Sequence, residues 1–229
     1  MASQANVPTQ LVQKPIVFLL SLGLECWFDE RYARLIDLLA NRANIKRATK
    51  SDAAIRYLTN NSPSAIIVTD PSIVGKSSSK QQVLGKVENF ISNGGTAIFA
   101  CHFSSFIRPP DMDKFWRSTF DLPWKYGDYQ RTTVHLVHQT ATRLKCSAEH
   151  LEKGYSQKAV FLRDVQLSDA LYLPSAESRI QSMVFLPEPV DQTQTPVAWA
   201  KYGDGWLGYV GDFNAEECSD EVILAMCGL

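Results

Sequence analysis

The apolar residues of this chain fall into short uninterrupted runs that alternate with segments of helical spacing. Residues 16–20 form one such run, as expected of a strand buried on both faces, and residues 28–41 then place Tyr32, Leu35, Ile36 and Leu39 on one helical face. The pattern recurs. It predicts strands at 45–48, 65–69 and 96–100 and helices at 52–59 and 81–92, with Asn93-Gly94-Gly95 as the turn before the fourth strand. Four strands alternating with helices over short connections signal a parallel sheet covered on both sides, where ligands collect at the carboxyl ends of strands.

The second half is less regular. Pro109-Pro110-Asp111 followed by Lys114, Phe115, Trp116 and Phe120 reads as a loop and a capped helix, and residues 130–138 are β-like. Strands are expected at 182–186, 197–202 and 206–210, the last two joined as a hairpin through Gly203-Asp204-Gly205, and a final helix at 220–226. No Pro/Gly/Ser run divides two self-sufficient hydrophobic patterns. The expected organisation is a flexible polar arm over 1–14 and a single domain over 15–229, with an insertion at about 106–180.

Composition narrows the function classes. Hydrophobic residues at 45% and charged residues at 21% indicate a folded chain, and a net charge of −1 leaves no field to recruit nucleic acid or an anionic membrane. The charge-free stretch between Lys14 and Glu25 is shorter than the roughly 20 residues that cross a bilayer, so a cytoplasmic location is expected. Five scattered cysteines without CxxC spacing suit free thiols better than disulfides or a metal site.

Several motifs promise more than they hold. Gly75-Lys76-Ser77 would need a glycine at Asp70 to be a phosphate loop, and Gly203-Asp204-Gly205-Trp206-Leu207-Gly208 matches GxGxxG but runs into a strand instead of opening a helix. His135 and His138 are three apart in a strand-like run and face opposite ways. Asp111 and Asp113 fit a helix start.

The informative segment is residues 94–105, where an apolar strand ends at Ala100-Cys101-His102 with Phe103, Ser104 and Ser105 opening a helix. A sharp strand-to-helix turn would expose the Cys101 thiol, and the following amides, chiefly those of His102 and Phe103, would favour its thiolate and hold an oxyanion. The first strand runs off through Ser21-Leu22-Gly23-Leu24-Glu25, where Gly23 permits close backbone approach and Glu25 reaches for the same crevice. The plainer reading is a buried structural thiol at Cys101 and a helix-start acid at Glu25.

The glycine pair, apolar strand and Ala-Cys-His of residues 94–102, with an acid after the first strand, resemble the class I glutamine amidotransferase-like superfamily, especially its PfpI-type branch. The glycine-bearing segment from Lys201 to Asp212 is similar to the late hairpin of the same superfamily, including its ThuA-like members. The resemblance implies a flavodoxin-like three-layer sandwich with a mostly parallel sheet and a C-terminal hairpin. It implies Cys101 as nucleophile, His102 as base or orienter and Glu25 or its neighbour Cys26 at the acid position, with Gly23, Phe103 and Ser104 shaping the oxyanion and substrate site.

The chain also departs from the pattern. Phe103 stands where the branch has glycine, and Gly211-Asp212-Phe213-Asn214 occupies the place of the glutaminase His-x-Glu, so glutamine hydrolysis is not expected. His150-Leu151-Glu152 has the right spelling but precedes the late strands. The expected chemistry is attack by a thiolate on a small carbonyl or acyl substrate, hydrolytic or glyoxalase-like, without metal or organic cofactor. The alternatives are a non-enzymatic ligand-binding or redox-sensing protein of the same fold, and an interaction scaffold. A homodimer is possible on the branch's precedent.

Overall fold

The computed structural model describes residues 13–184 and 186–229, so most of the expected N-terminal arm lies outside the described residues. Its first half follows the hydrophobic pattern closely. β1 (Ile16–Leu20), β2 (Asn44–Ala48), β3 (Ala65–Val68) and β4 (Thr96–Phe99) alternate with α1 (Phe28–Arg31), α2 (Ala33–Arg42), α3 (Ser51–Asn60) and α4 (Ser78–Ser92). Next come α5 (His102–Phe106), α6 (Pro109–Phe120), β5 (Lys125–Leu136), α7 (His138–Ala141), β6 (Gly154–Arg163) and β7 (Ala170–Pro174), then the hairpin β8 (Val197–Tyr202) and β9 (Gly205–Val210), and α8 (Glu217–Cys227).

All nine strands join one sheet in the order β2-β1-β3-β4-β9-β8-β7-β5-β6. Pairings from β2 to β9 are parallel and those from β9 to β6 antiparallel. The mostly parallel flavodoxin-like sheet is therefore corrected to a mixed one, because residues 125–174 add three strands to the sheet beyond the hairpin. At the far side β6 curls back onto the segments flanking the hairpin: the Val160 amide donates to the Gly211 carbonyl, and Leu162 exchanges bonds with Thr195.

Alternation along the strands splits the core in two. Val17, Leu19, Ile98 and Val210 face α2 and α8, whereas Phe18, Leu20, Phe99 and Tyr209 face α3, α4 and α6. Of the expected strand at 182–186, the described residues 182–184 and 186 form none. Met183, Val184 and Leu186 project into solvent, since an apolar run without a strand to pair with has no ladder to join. Gly203 and Gly205 serve the hairpin: a Cβ at Gly205 would meet the Ile91 carbonyl at 2.0 Å, so this GxGxxG packs on the end of α4.

Candidate functional site

The carboxyl ends of the parallel strands meet at one edge, stitched together by a buried carboxylate. Asp70, just after β3, accepts the amides of Gly23 and Ser72, each at 2.9 Å. Gly23 is needed there because a Cβ would lie 2.9 Å from Asp70 Oδ1 and 2.2 Å from Ser72 Oγ. The Thr69 hydroxyl bonds Ser21 Oγ at 2.9 Å, which joins the ends of β1 and β3.

Cys101 stands between β4 and α5 with φ 58° and ψ −125°, a backbone region that costs a non-glycine residue about 1–3 kcal/mol. Its surroundings do not favour a thiolate. The residue is 3% exposed, and burial, reinforced by the nearby carboxylates Asp220 and Asp212, pushes the thiol well up, against a smaller opposing influence of Arg47. The expected acidic, solvent-reachable thiol is thus corrected to a buried neutral one. Two causes are visible: α5 has only five residues, too few for a strong dipole, and α2 and α8 cover the sulfur's side of the sheet.

The other expected members separate. Glu25 is exposed and its carbonyl accepts the Phe28 amide at the start of α1; the charges that act most strongly on Cys101 are Asp220, Asp212, Arg47 and Asp70. Glu25 therefore occupies the helix-start position, and the neighbouring Cys26 is exposed too. The Phe103 amide donates to the Ala100 carbonyl at 3.1 Å, and its ring is fully buried against Phe99, Phe115 and Trp116, so neither faces a substrate. Ser104 is buried beside the Tyr209 phenol, whose hydrogen goes to the Val160 carbonyl at 2.9 Å.

His102 is the buried polar residue at this edge whose ring atoms the fold leaves unpaired. It is 3% exposed, and both ring nitrogens lack a protein partner. Four rings enclose it: Trp27 and Phe106 at 4.4 and 4.6 Å between centroids, Tyr32 and Phe28 at 5.2 and 5.3 Å. Burial lowers its pKa, Asp70 opposes that and Arg31 adds to it, so the imidazole is held neutral. Trp27 and Phe106 are 42% and 45% exposed and cover the imidazole at the surface.

Tyr32 connects the imidazole to a polar layer beneath. Its hydroxyl is buried without a protein partner, and burial, with Cys101 and Asp212 nearby, pushes the phenol far up. Asp212, after β9, accepts the Asn214 and Glu216 amides at 2.7 Å each, and burial raises its pKa. Asp220 on α8 is pushed up to about 6 by burial, although Arg34 holds it at 2.9 Å. No group of three or more His, Cys, Asp or Glu residues among those described is placed to hold a metal ion.

Sequence reasoning missed Trp27, Tyr32, Phe106 and Asp220. Asp212 had a signal, as part of the stretch Gly211-Asp212-Phe213-Asn214 that occupies the place of a glutaminase His-x-Glu. Phe106 and Trp27 carried none, because single aromatic residues near helix starts are ordinary core candidates.

No family model and no curated protein matches the chain, whereas solved structures do. A ThuA-like protein from Bacteroides uniformis ATCC 8492 superposes with a TM-score of 0.52 at 13% identity, covering 96% of this chain and 93% of that one. A second, from Parabacteroides merdae ATCC 43184, gives 0.55 at 9% identity over 94% and 89%. The fold is that of ThuA-like proteins. These share the class I glutamine amidotransferase-like fold, and at such identities the ThuA-like likeness is one of architecture alone. A β-galactosidase from Rahnella sp. R3 gives 0.52 at 15% identity, covering 94% of this chain but 31% of its own. Among the described residues no helix is long and apolar enough to cross a membrane.

Proposed function

We propose that this ThuA-like fold serves as a small-molecule binding protein whose ligand enters at the carboxyl edge between Trp27 and Phe106 and bonds to His102. The observation that carries this reading is the set of buried polar atoms without protein partners: both His102 nitrogens, beside the half-exposed rings of Trp27 and Phe106, and the hydroxyl of Tyr32, whose ring packs on the same imidazole. Buried polar groups are rarely left unmet, and a ligand supplies what the fold does not. A neutral imidazole offers one donor and one acceptor, and the flanking rings offer flat faces, so the fitting class is a planar aromatic or heteroaromatic compound. Five free thiols suit action in the reducing cytoplasm.

One observation favours a second reading, thiol chemistry on a small carbonyl or acyl compound: the strained backbone of Cys101. That chemistry needs the sulfur to become reachable and to pass its proton to a neighbour, for which Asp220 and Asp212, the two carboxylates that act most strongly on it, are the candidates. A single set of variants separates the two. A screen of planar aromatic and heteroaromatic compounds, followed by Trp fluorescence and thermal shift, is expected to find a binder that Trp27→Ala weakens about tenfold and Cys101→Ser leaves intact. Methylglyoxal consumption or p-nitrophenyl acetate hydrolysis that disappears in Cys101→Ser would instead establish the thiol reading.

A further inference from the structure

The segment between β1 and α2 closes over the carboxyl-edge crevice with few attachments of its own. Of residues 24–31 only Phe28 is buried. Among the described residues, the backbone hydrogen bonds of this segment all end within residues 25–32: the Phe28 amide on the Glu25 carbonyl at 3.1 Å, Arg31 on Trp27 at 3.0 Å and Tyr32 on Phe28 at 2.9 Å. Side chains tie it to the rest of the fold. Arg31 Nη2 donates to the Phe213 carbonyl at 2.8 Å, and Asp29 pairs at 2.7 Å with Arg47, whose guanidinium lies 5.5 Å from the centre of the Phe28 ring. Arg31 and Asp29 are both exposed, and ties of this kind in contact with water are weak. They run from β2, the margin of the sheet, to the chain just after β9, so the segment bridges the whole parallel half.

Each end of the segment has the geometry of a pivot. Gly23 is pinned by its amide on Asp70 at 2.9 Å, and Tyr32, at φ −108° and ψ 25°, breaks the helical path between α1 and α2. The interior beneath is poorly suited to permanent closure. Trp27, Phe28 and Tyr32 supply three of the four rings around His102, yet both His102 nitrogens and the Tyr32 hydroxyl are sealed in without partners, next to the strained bend at Cys101. Sealing unpaired polar atoms costs stability, and lifting the segment returns that cost by admitting water or a ligand.

We propose that residues 24–31 are a lid over His102 and Cys101, pivoting at Gly23 and Tyr32 and latched by Arg31 on the Phe213 carbonyl and by Asp29 on Arg47. The structure is its closed state. Opening draws Trp27 away from Phe106, which stays on α5, and uncovers the imidazole and the thiol. The proposal rests on the reading of this edge as a ligand site and adds that entry to it is gated.

Alkylation of Cys101 by iodoacetamide in the full chain, read by peptide mass spectrometry, tests the lid without a ligand. The rate is divided into that of the urea-unfolded chain to give a protection factor, and hydrogen exchange of the β1 and β4 amides gives the protection that global unfolding alone allows. Cys101 is expected to be protected at least tenfold less than those amides. Arg31→Met combined with Asp29→Ala removes both latches and should lower Cys101 protection a further fivefold or so. Protection of Cys101 equal to that of β1 and β4, or indifferent to the double variant, overturns the lid. Should the double variant fail to fold, the comparison within the unaltered chain decides alone. A lid that fails here leaves the Trp27→Ala binding test standing, and failure of that test leaves this measurement untouched.

Discussion

The two faces of the sheet are built to opposite specifications. On one, Phe99, Phe103, Phe115, Trp116, Phe120 and Trp124 pack as a dry aromatic cluster, with Trp116 meeting Phe99 edge-on at 5.2 Å and Trp124 at the same distance. On the other, the same strand ends place Cys101 beside Tyr32, Asp212 and Asp220, with Ser219 and Gln157 bonded to each other at 3.0 Å. The first face gains from every atom it buries. The second buries carboxyls at a cost, which leaves it the less stable of the two and the one whose state depends on solution conditions.

Truncating the dry face is the harshest way to break this contrast. Trp116→Ala removes a fully buried indole and should lower unfolding free energy by about 3–5 kcal/mol, read as a reduced denaturant midpoint at unchanged slope. On the polar face the largest effect should come from Arg34, which pairs with Asp220 at 2.9 Å and Glu221 at 3.2 Å. Arg34→Met should cost about 1–2 kcal/mol at pH 7, less than a fully buried pair because the arginine side chain is 39% exposed. The third effect is a slope. Asp220 is raised to about 6 in the folded protein, so its contribution to stability is fully present below about pH 4 and is lost as pH rises through about 6. Urea titrations at pH 4, 5, 6 and 7 should show Asp220→Asn with a flatter profile across that window. An unchanged profile would mean that the carboxyl is not buried as described.

The parallel half was legible because strands covered on both faces leave unbroken apolar runs, as at Ile16–Leu20 and Ala65–Val68. The antiparallel extension was not. β6 alternates Ser156, Gln157 and Lys158 before its apolar end, and Gln157 faces inward only because Ser219 on α8 receives its amide. β7 is five residues long and ends in Pro174. Residues 182–186 misled in the other direction, since apolar character without a pairing strand says nothing of burial. At the site, the bend at Cys101 could be read from a strand followed by small residues. Its enclosure could not, because the groups beside it, Tyr32 between α1 and α2 and Asp220 on α8, lie some 70 and 120 residues distant along the chain. His102 was singled out as a companion of the thiol, whereas it lies among rings contributed by Trp27, Phe28, Tyr32 and Phe106.

The return of β6 onto residues 195 and 211–213 has a bearing on how copies of this protein coexist at high concentration. A row of unpaired strand amides is a template for edge-to-edge aggregation, and here the bonds from Val160 to Gly211 and between Leu162 and Thr195 occupy part of that row. The opposite margin, β2, instead carries the exposed cation Lys46, while Arg47 is tied back to Asp29 at 2.7 Å, so one border of the sheet is closed by hydrogen bonding and the other bears a charge.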